Sequence, residues 1–159
     1  MIIGVIGGNQ VDKQTYAMAE EVGRRIAQSG AQLICGGLGG VMEAACKGAA
    51  QAGGLTIGIL PDDDSQSANR YVAIPIVTGL RIARNLIIVR SSDVLIAVSG
   101  SYGTLNEIAA ALDLGKPVVA LKTWDLMAAG RDVDPALFFP VRTPKEAVQK
   151  ALDLAAGNR

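Results

Sequence analysis

The chain has 159 residues, half of them hydrophobic and only 4% aromatic, with 15 basic residues balanced by 15 acidic ones. That length encloses the aliphatic core of one domain, 1–159, while the charge balance and few aromatics argue against a general nucleic-acid binder. No histidine is present, which excludes Ser-His and Cys-His nucleophiles and removes the commonest metal ligand, so no metal ligand set is expected.

Ile2 to Ile6 reads as a buried strand running into Gly7-Gly8-Asn9-Gln10, with no charged leader before it. With no apolar run of membrane length either, a cytoplasmic protein is expected, with no membrane partner. Asp12 suits the N-cap of a helix whose apolar face is Tyr16, Ala19, Gly23, Ile26 and Ala27, ending at Gly30. Gln32–Cys35 is a second strand, followed by Gly36-Gly37-Leu38-Gly39-Gly40. A small-residue helix follows, marked by Val41, Ala44, Ala45, Gly48, Ala49 and Ala52. Cys35 and Cys46 fall in these buried elements and read as core rather than chemistry.

Leu55 to Leu60 is a third strand, and Asp62 to Arg70 a polar, mobile loop. Ala73 to Val77 is a short strand interrupted by Pro75, and Leu80 to Arg90 a helix carrying Arg81, Arg84 and Arg90. Val94 to Val98 is an apolar strand. Small residues follow, and then a helix with Leu105, Ile108, Ala109 and Leu112 on one face, ending at Gly115. Val118 to Leu121 is another strand, Lys122 to Arg142 shows no clean period, and Thr143-Pro144-Lys145-Glu146 opens a last helix. Regular alternation predicts an α/β fold, a Rossmann-like three-layer α/β/α sandwich on a mostly parallel sheet.

In such a sheet ligands bind beyond the carboxyl ends of the strands. Three glycine-bearing turns fall there: Gly7-Gly8-Asn9, Gly36 to Gly40, and Gly100-Ser101-Tyr102-Gly103-Thr104. Free amides at the start of a helix suit a phosphate or another oxyanion. The two larger turns are expected to converge on one pocket, faced by Arg84 and Asn85. Against this stands a capping box from Thr104 to Glu107, which would satisfy the helix end without a ligand. For Arg84 the alternative is a solvated helix charge. A dinucleotide fingerprint is not met, because the G-x-G-like run follows the second strand.

Gly36-Gly37-Leu38-Gly39-Gly40-Val41-Met42-Glu43-Ala44-Ala45, Arg84-Asn85 and Ser99-Gly100-Ser101-Tyr102-Gly103-Thr104-Leu105-Asn106-Glu107 resemble the LOG-like, or lysine-decarboxylase-like, superfamily across almost the whole chain. Its best-known enzymes are cytokinin-activating phosphoribohydrolases that cut nucleoside 5′-monophosphates. Their signature is an Arg-Lys pair followed by P-G-G-x-G-T-x-x-E, which the resemblance carries onto Arg84, Thr104 and Glu107. The chain departs from it at Asn85, Ser99 and Ser101, and with Met42 to Ala45 it is more similar to the short branch of molybdenum cofactor carrier proteins. The resemblance implies a homo-oligomer, dimer or tetramer, that binds and protects molybdopterin. It also implies partners among molybdoenzymes or cofactor-synthesis proteins. The expected ligand carries a phosphate held at the glycine turns. The alternative is the phosphoribohydrolase, with Arg84 and Glu107 as its catalytic pair. A more distant relative, the DNA-processing protein of transformation, fits the neutral charge poorly.

Overall fold

Val94–Val98 is apolar and buried at every position, as a strand covered on both faces must be. It is β5 of seven: β1 (Ile2–Gly7), β2 (Gln32–Cys35), β3 (Thr56–Leu60), β4 (Ile74–Val77), β5, β6 (Val118–Leu121) and β7 (Phe138–Val141). The helices are α1 (Lys13–Gln28), α2 (Val41–Gln51), α3 (Asn85–Ser91), α4 (Tyr102–Asp113) and α5 (Pro144–Gly157). The computed structural model describes residues 1–126 and 133–157.

The sheet order is β4-β3-β2-β1-β5-β6-β7, and every pairing is parallel. The chain builds outward from β1 to β4, then crosses back to lay β5 on the other side of β1. The switch point therefore lies between β1 and β5, where an open α/β sheet leaves a crevice. One core layer holds Ile26 of α1, Ala44 of α2 and Ala151 of α5; the other holds Ile88 of α3 with Ile108 and Ala111 of α4. This is the expected three-layer Rossmann-like sandwich. No helix among the described residues is long and apolar enough to cross a membrane.

Local chemistry sets most of the boundaries. Asp12 caps α1 by accepting from the Thr15 amide at 2.7 Å, and Gly30 leaves the helix at φ 79°. Thr143 and Glu146 form a reciprocal cap on α5: the Glu146 amide donates to Thr143 Oγ1 at 3.2 Å, and the Arg142 amide to Glu146 Oε2 at 2.9 Å. α1 and α2 cross backbone to backbone, because a β-carbon on Gly23 would collide with the Ala45 carbonyl.

Four features differ from the sequence reading. The segment from Leu80 to Arg90 is two pieces, a 3-10 turn at Arg81–Arg84 and then α3. The aperiodic stretch 122–142 contains β7, whose Pro140 is tolerated on a sheet edge, as is Pro75 in β4; 127–132 lie outside the described residues. Thr104, Glu107, Ile108 and Ala111 form the buried face of α4, while Ala109 is exposed. The sequence offers Leu137-Phe138-Phe139 as apolar surface for an oligomer, but Phe138 is buried within the sheet, and the exposed aliphatic surface is Ile74, Ile76, Val77, Leu80, Ile82 and Leu86 beside β4. Cys35 and Cys46 are buried free thiols with their sulfurs 3.4 Å apart.

Candidate functional site

The crossover from β4 to β5 passes over the carboxyl end of β2, and it carries Arg84 with it. Arg84 is only 8% exposed. Its guanidinium lies on Gly36, where any β-carbon would overlap both terminal nitrogens. Nη1 is fully buried and has no hydrogen-bond partner among the described residues. A solvated helix charge is thereby ruled out for this residue.

Glu107 faces the same space from α4 and is 7% exposed. Burial pushes its carboxyl up to about 7, against the pull of the Arg84 charge. Burial also draws Arg84 below its ordinary value, while Glu107 holds it up. Each charge is the other's compensation across a gap, since Arg84 Nη1 bonds to nothing.

The capping-box alternative fails on position. Ser101, not Thr104, is the N-cap of α4, and it makes no side-chain bond to the first turn. Thr104 is inside the helix, 2% exposed, packed over Gly100. The Gly103 and Thr104 amides are thus left without a side-chain cap at the positive end of the helix dipole. Ser99 at φ 53° and Gly100 at φ 126° turn the chain sharply from β5 into that helix.

These groups line a cavity of about 380 Å³. Of the residues singled out in the sequence, it gathers Asn9, Gly36, Leu38, Arg84, Asn85, Ser101, Gly103, Thr104 and Glu107. Asn85, 8% exposed, sets its amide 3.4 Å from Asn106 Oδ1. Asn9 Oδ1 accepts from the Gly39 amide at 2.9 Å.

The others do different work. Gly37 at φ 72° packs on Leu60 and Gly58, and Gly40 at φ 61° packs on the Gly8 carbonyl, which also accepts from the Val41 amide at 3.0 Å. Gly8, Gly39 and Gly40 are therefore the contact between the β1–α1 turn and the start of α2. Gly100 is the seat of Thr104. Tyr102 is 81% exposed, its ring 5.8 Å from that of Trp124, whose Nε1 donates to the Ser101 carbonyl at 3.1 Å.

Sequence reasoning missed one wall. Pro61 and Asp62, just past β3, and Arg81 and Ile82 also line the cavity, with Arg81 Nη1 3.0 Å from Asp62 Oδ1. Their signal was available: Pro61 and Asp62 leave the same carboxyl edge of the sheet as the glycine turns. Among the described residues, no three His, Cys, Asp or Glu side chains gather as a metal site. The donors are two guanidiniums, backbone amides, two hydroxyls and two carboxamides, a set suited to an oxyanion-bearing small molecule.

A parallel sheet with its ligand-sized crevice at the β1/β5 switch point defines a Rossmann-like α/β protein that binds a small molecule at its carboxyl edge. More narrowly, the chain belongs to the SLOG cluster4 family, whose model matches residues 1–151. It is 53% identical over 122 residues to an uncharacterized protein of Archaeoglobus fulgidus, covering 77% of this chain and 80% of that one. Its structure is similar to that of the molybdenum cofactor binding protein from Rippkaea orientalis, with TM-score 0.90, 39% identity and 96% of each chain covered. It is also similar to the molybdenum cofactor carrier protein of Chlamydomonas reinhardtii, with TM-score 0.88, 40% identity and 98% of each chain covered.

Proposed function

We propose that this protein is a molybdenum cofactor carrier, which holds molybdopterin by its phosphate in the cavity at the β1/β5 switch point. The observation that carries the reading is the unpaired, fully buried Nη1 of Arg84. A buried guanidinium nitrogen left without an acceptor costs about 1–3 kcal/mol or more, and an anionic ligand that accepts from it offsets that cost. A phosphate placed there meets the guanidinium, the Gly103 and Thr104 amides and the Thr104 hydroxyl. The cavity volume of about 380 Å³ falls within the usual range for small-molecule and cofactor sites. The two solved relatives named for cofactor binding and carriage support the ligand class.

The residues fit the cofactor as cargo. Molybdenum and its dithiolene supply redox chemistry to the enzyme that finally receives them. Here Asn9 and Asn85 offer neutral amides to oxo groups, Gly36 and Leu38 line the cavity walls, and Met42 and Ile6 exclude water. The remaining selected glycines, Gly8, Gly37, Gly39, Gly40 and Gly100, set the backbone behind the walls, and Tyr102 stands outside the lining, its ring against Trp124. The protein acts in the cytoplasm, with molybdoenzymes or cofactor-synthesis proteins as its partners. It is a homo-oligomer joined over the exposed Ile74, Ile76, Val77, Leu80 and Leu86, so light scattering should give a multiple of 16.4 kDa.

One observation favours a second reading. A carboxyl near pH 7 beside a phosphate cradle can orient water or stabilise a ribosyl cation, as a nucleoside 5′-monophosphate phosphoribohydrolase requires. Two assays separate the readings. Purified protein is mixed anaerobically with molybdopterin cofactor and the rate of oxidative loss is followed, then it is incubated with AMP and free base is sought. Carriage predicts protection without base release, weakened by at least about 1.5 kcal/mol in Arg84→Ala. Base release that disappears in Glu107→Gln, with no protection, would instead establish the hydrolase.

A further inference from the structure

The polar groups of the cavity are sorted by depth. At the floor sit Arg84, Glu107 and Thr104, which are 8%, 7% and 2% exposed. At the mouth sit the Asp62 and Arg81 side chains, 47% and 82% exposed. Between these levels the lining is apolar, with Met42 and Leu38, and Ile82, 67% exposed, stands at the mouth beside Arg81. A ligand anchored by an anion at the floor therefore lays its body between aliphatic side chains and brings its far end to Asp62.

Asp62 is a carboxylate, so it accepts hydrogen bonds and repels acceptors. Arg81 Nη1 takes one lone pair of Oδ1 at 3.0 Å. Each carboxylate oxygen accepts twice, so Oδ2 and part of Oδ1 remain open. The main chain is pinned independently: the Asp62 carbonyl accepts from Gly79, and the Pro61 carbonyl from Arg81 at 2.9 Å. Arg81 itself is held at φ 51°, a costly conformation for a side-chain-bearing residue.

A carboxylate with two free acceptor positions matches one kind of heterocycle edge. In a 2-amino-4-oxopyrimidine ring, the ring N–H and the exocyclic amine point the same way and pair with both oxygens. Pterin and guanine present that edge. Adenine presents an acceptor beside its amine, and hypoxanthine lacks the amine altogether.

We infer that Asp62 is a specificity-determining residue, and that the cavity selects phosphorylated heterocycles with a 2-amino-4-oxopyrimidine edge, of the pterin and guanine class, over adenine-type ones. The inference rests on the anion cradle of the proposed function and deepens it by assigning the end of the ligand opposite the phosphate.

The test uses GMP and IMP, which differ only in the 2-amino group, with AMP as a third probe, all by calorimetry on the full chain. The wild type is expected to bind GMP about tenfold more tightly than IMP, the scale of one hydrogen bond to a charged acceptor, and AMP no better than IMP. In Asp62→Ala the GMP-to-IMP ratio should fall to near one, and Asp62→Asn should lie between. Reading the ratio removes any general loss of affinity in the variants. Equal binding of GMP and IMP by the wild type overturns the inference, as does a preference that survives Asp62→Ala. Molybdopterin protection is scored separately. Protection without a GMP preference overturns this inference alone, whereas a GMP preference lost in Asp62→Ala, without protection, supports it and overturns carriage.

Discussion

The turn 36–40 leaves β2 and the turn 99–104 leaves β5, both at the carboxyl edge of the sheet and both running into a helix. In the first, Gly39 donates to Asn9 and Gly40 presses on the Gly8 carbonyl, which also takes the first amide of α2. Its last two glycines let backbone meet backbone. In the second, Ser101 leaves the first turn of α4 uncapped, and Gly103 has nothing within 4 Å of where a β-carbon would be. Glycine in a strand-to-helix turn thus has two uses, close backbone approach at Gly40 and open space at the helix start at Gly103. Which use applies is decided by what another element brings there.

Substitution at the packed turn should have the largest effect. Gly40 combines φ 61° with a blocked β-carbon position, so Gly40→Ala is expected to cost about 3 kcal/mol or more. That lowers Tm by roughly 6–12 °C in a chain of this size. A thermal melt unchanged from the wild type would mean that the two turns are not different in kind.

The next effect belongs to the open turn and runs through pH. The Glu107 carboxyl stands at about 7 in the folded protein against an ordinary 4.5, so the folded state holds the proton more tightly than the unfolded chain. Its contribution to stability is complete below pH 4.5 and is lost as pH rises through 7, by up to about 3 kcal/mol. Glu107→Gln removes the ionisation. Urea melts at several pH values from about 5 to 8 should therefore show wild-type stability falling relative to the variant. Parallel curves would mean that Glu107 is not desolvated as described.

The smallest effect sharpens the contrast. Gly103→Ala adds a methyl to a helical position with free space, so stability should rise by under about 1 kcal/mol. The methyl also narrows the cavity beside the exposed amides, and affinity for a phosphate-bearing ligand should fall. Melts and calorimetry on the same preparation check both signs. One residue type, changed the same way in two turns, should then give opposite signs in stability.

Much of the fold was legible in the chain. Apolar four- to six-residue runs alternate with helical periods, and Asp12, Gly30, Thr143 and Glu146 marked helix ends by chemistry that acts within a few residues. β7 was not legible, because Phe-Phe-Pro-Val carries a proline and makes sense only once Phe138 pairs with Val118 of β6. The face of α4 was misread by one position. Leu105 and Ala109 are as apolar as the true inward set, and nothing local shows that Thr104 and Glu107 turn inward.

What the amino-acid sequence determined alone is the parallel α/β architecture and the place of a cavity at its carboxyl edge, the one proposed above to cradle an oxyanion, because strand period, helix caps and glycine turns are short-range properties. What tertiary structure decided is which charges stand in that cradle. Arg84 becomes buried, with Nη1 left unbonded, only when the β4–β5 crossover lays it on Gly36, and Asp62 and Arg81 join the cavity only because β3 ends beside β2. Burial and desolvation depend on contacts between segments far apart in the chain, and no local period encodes them.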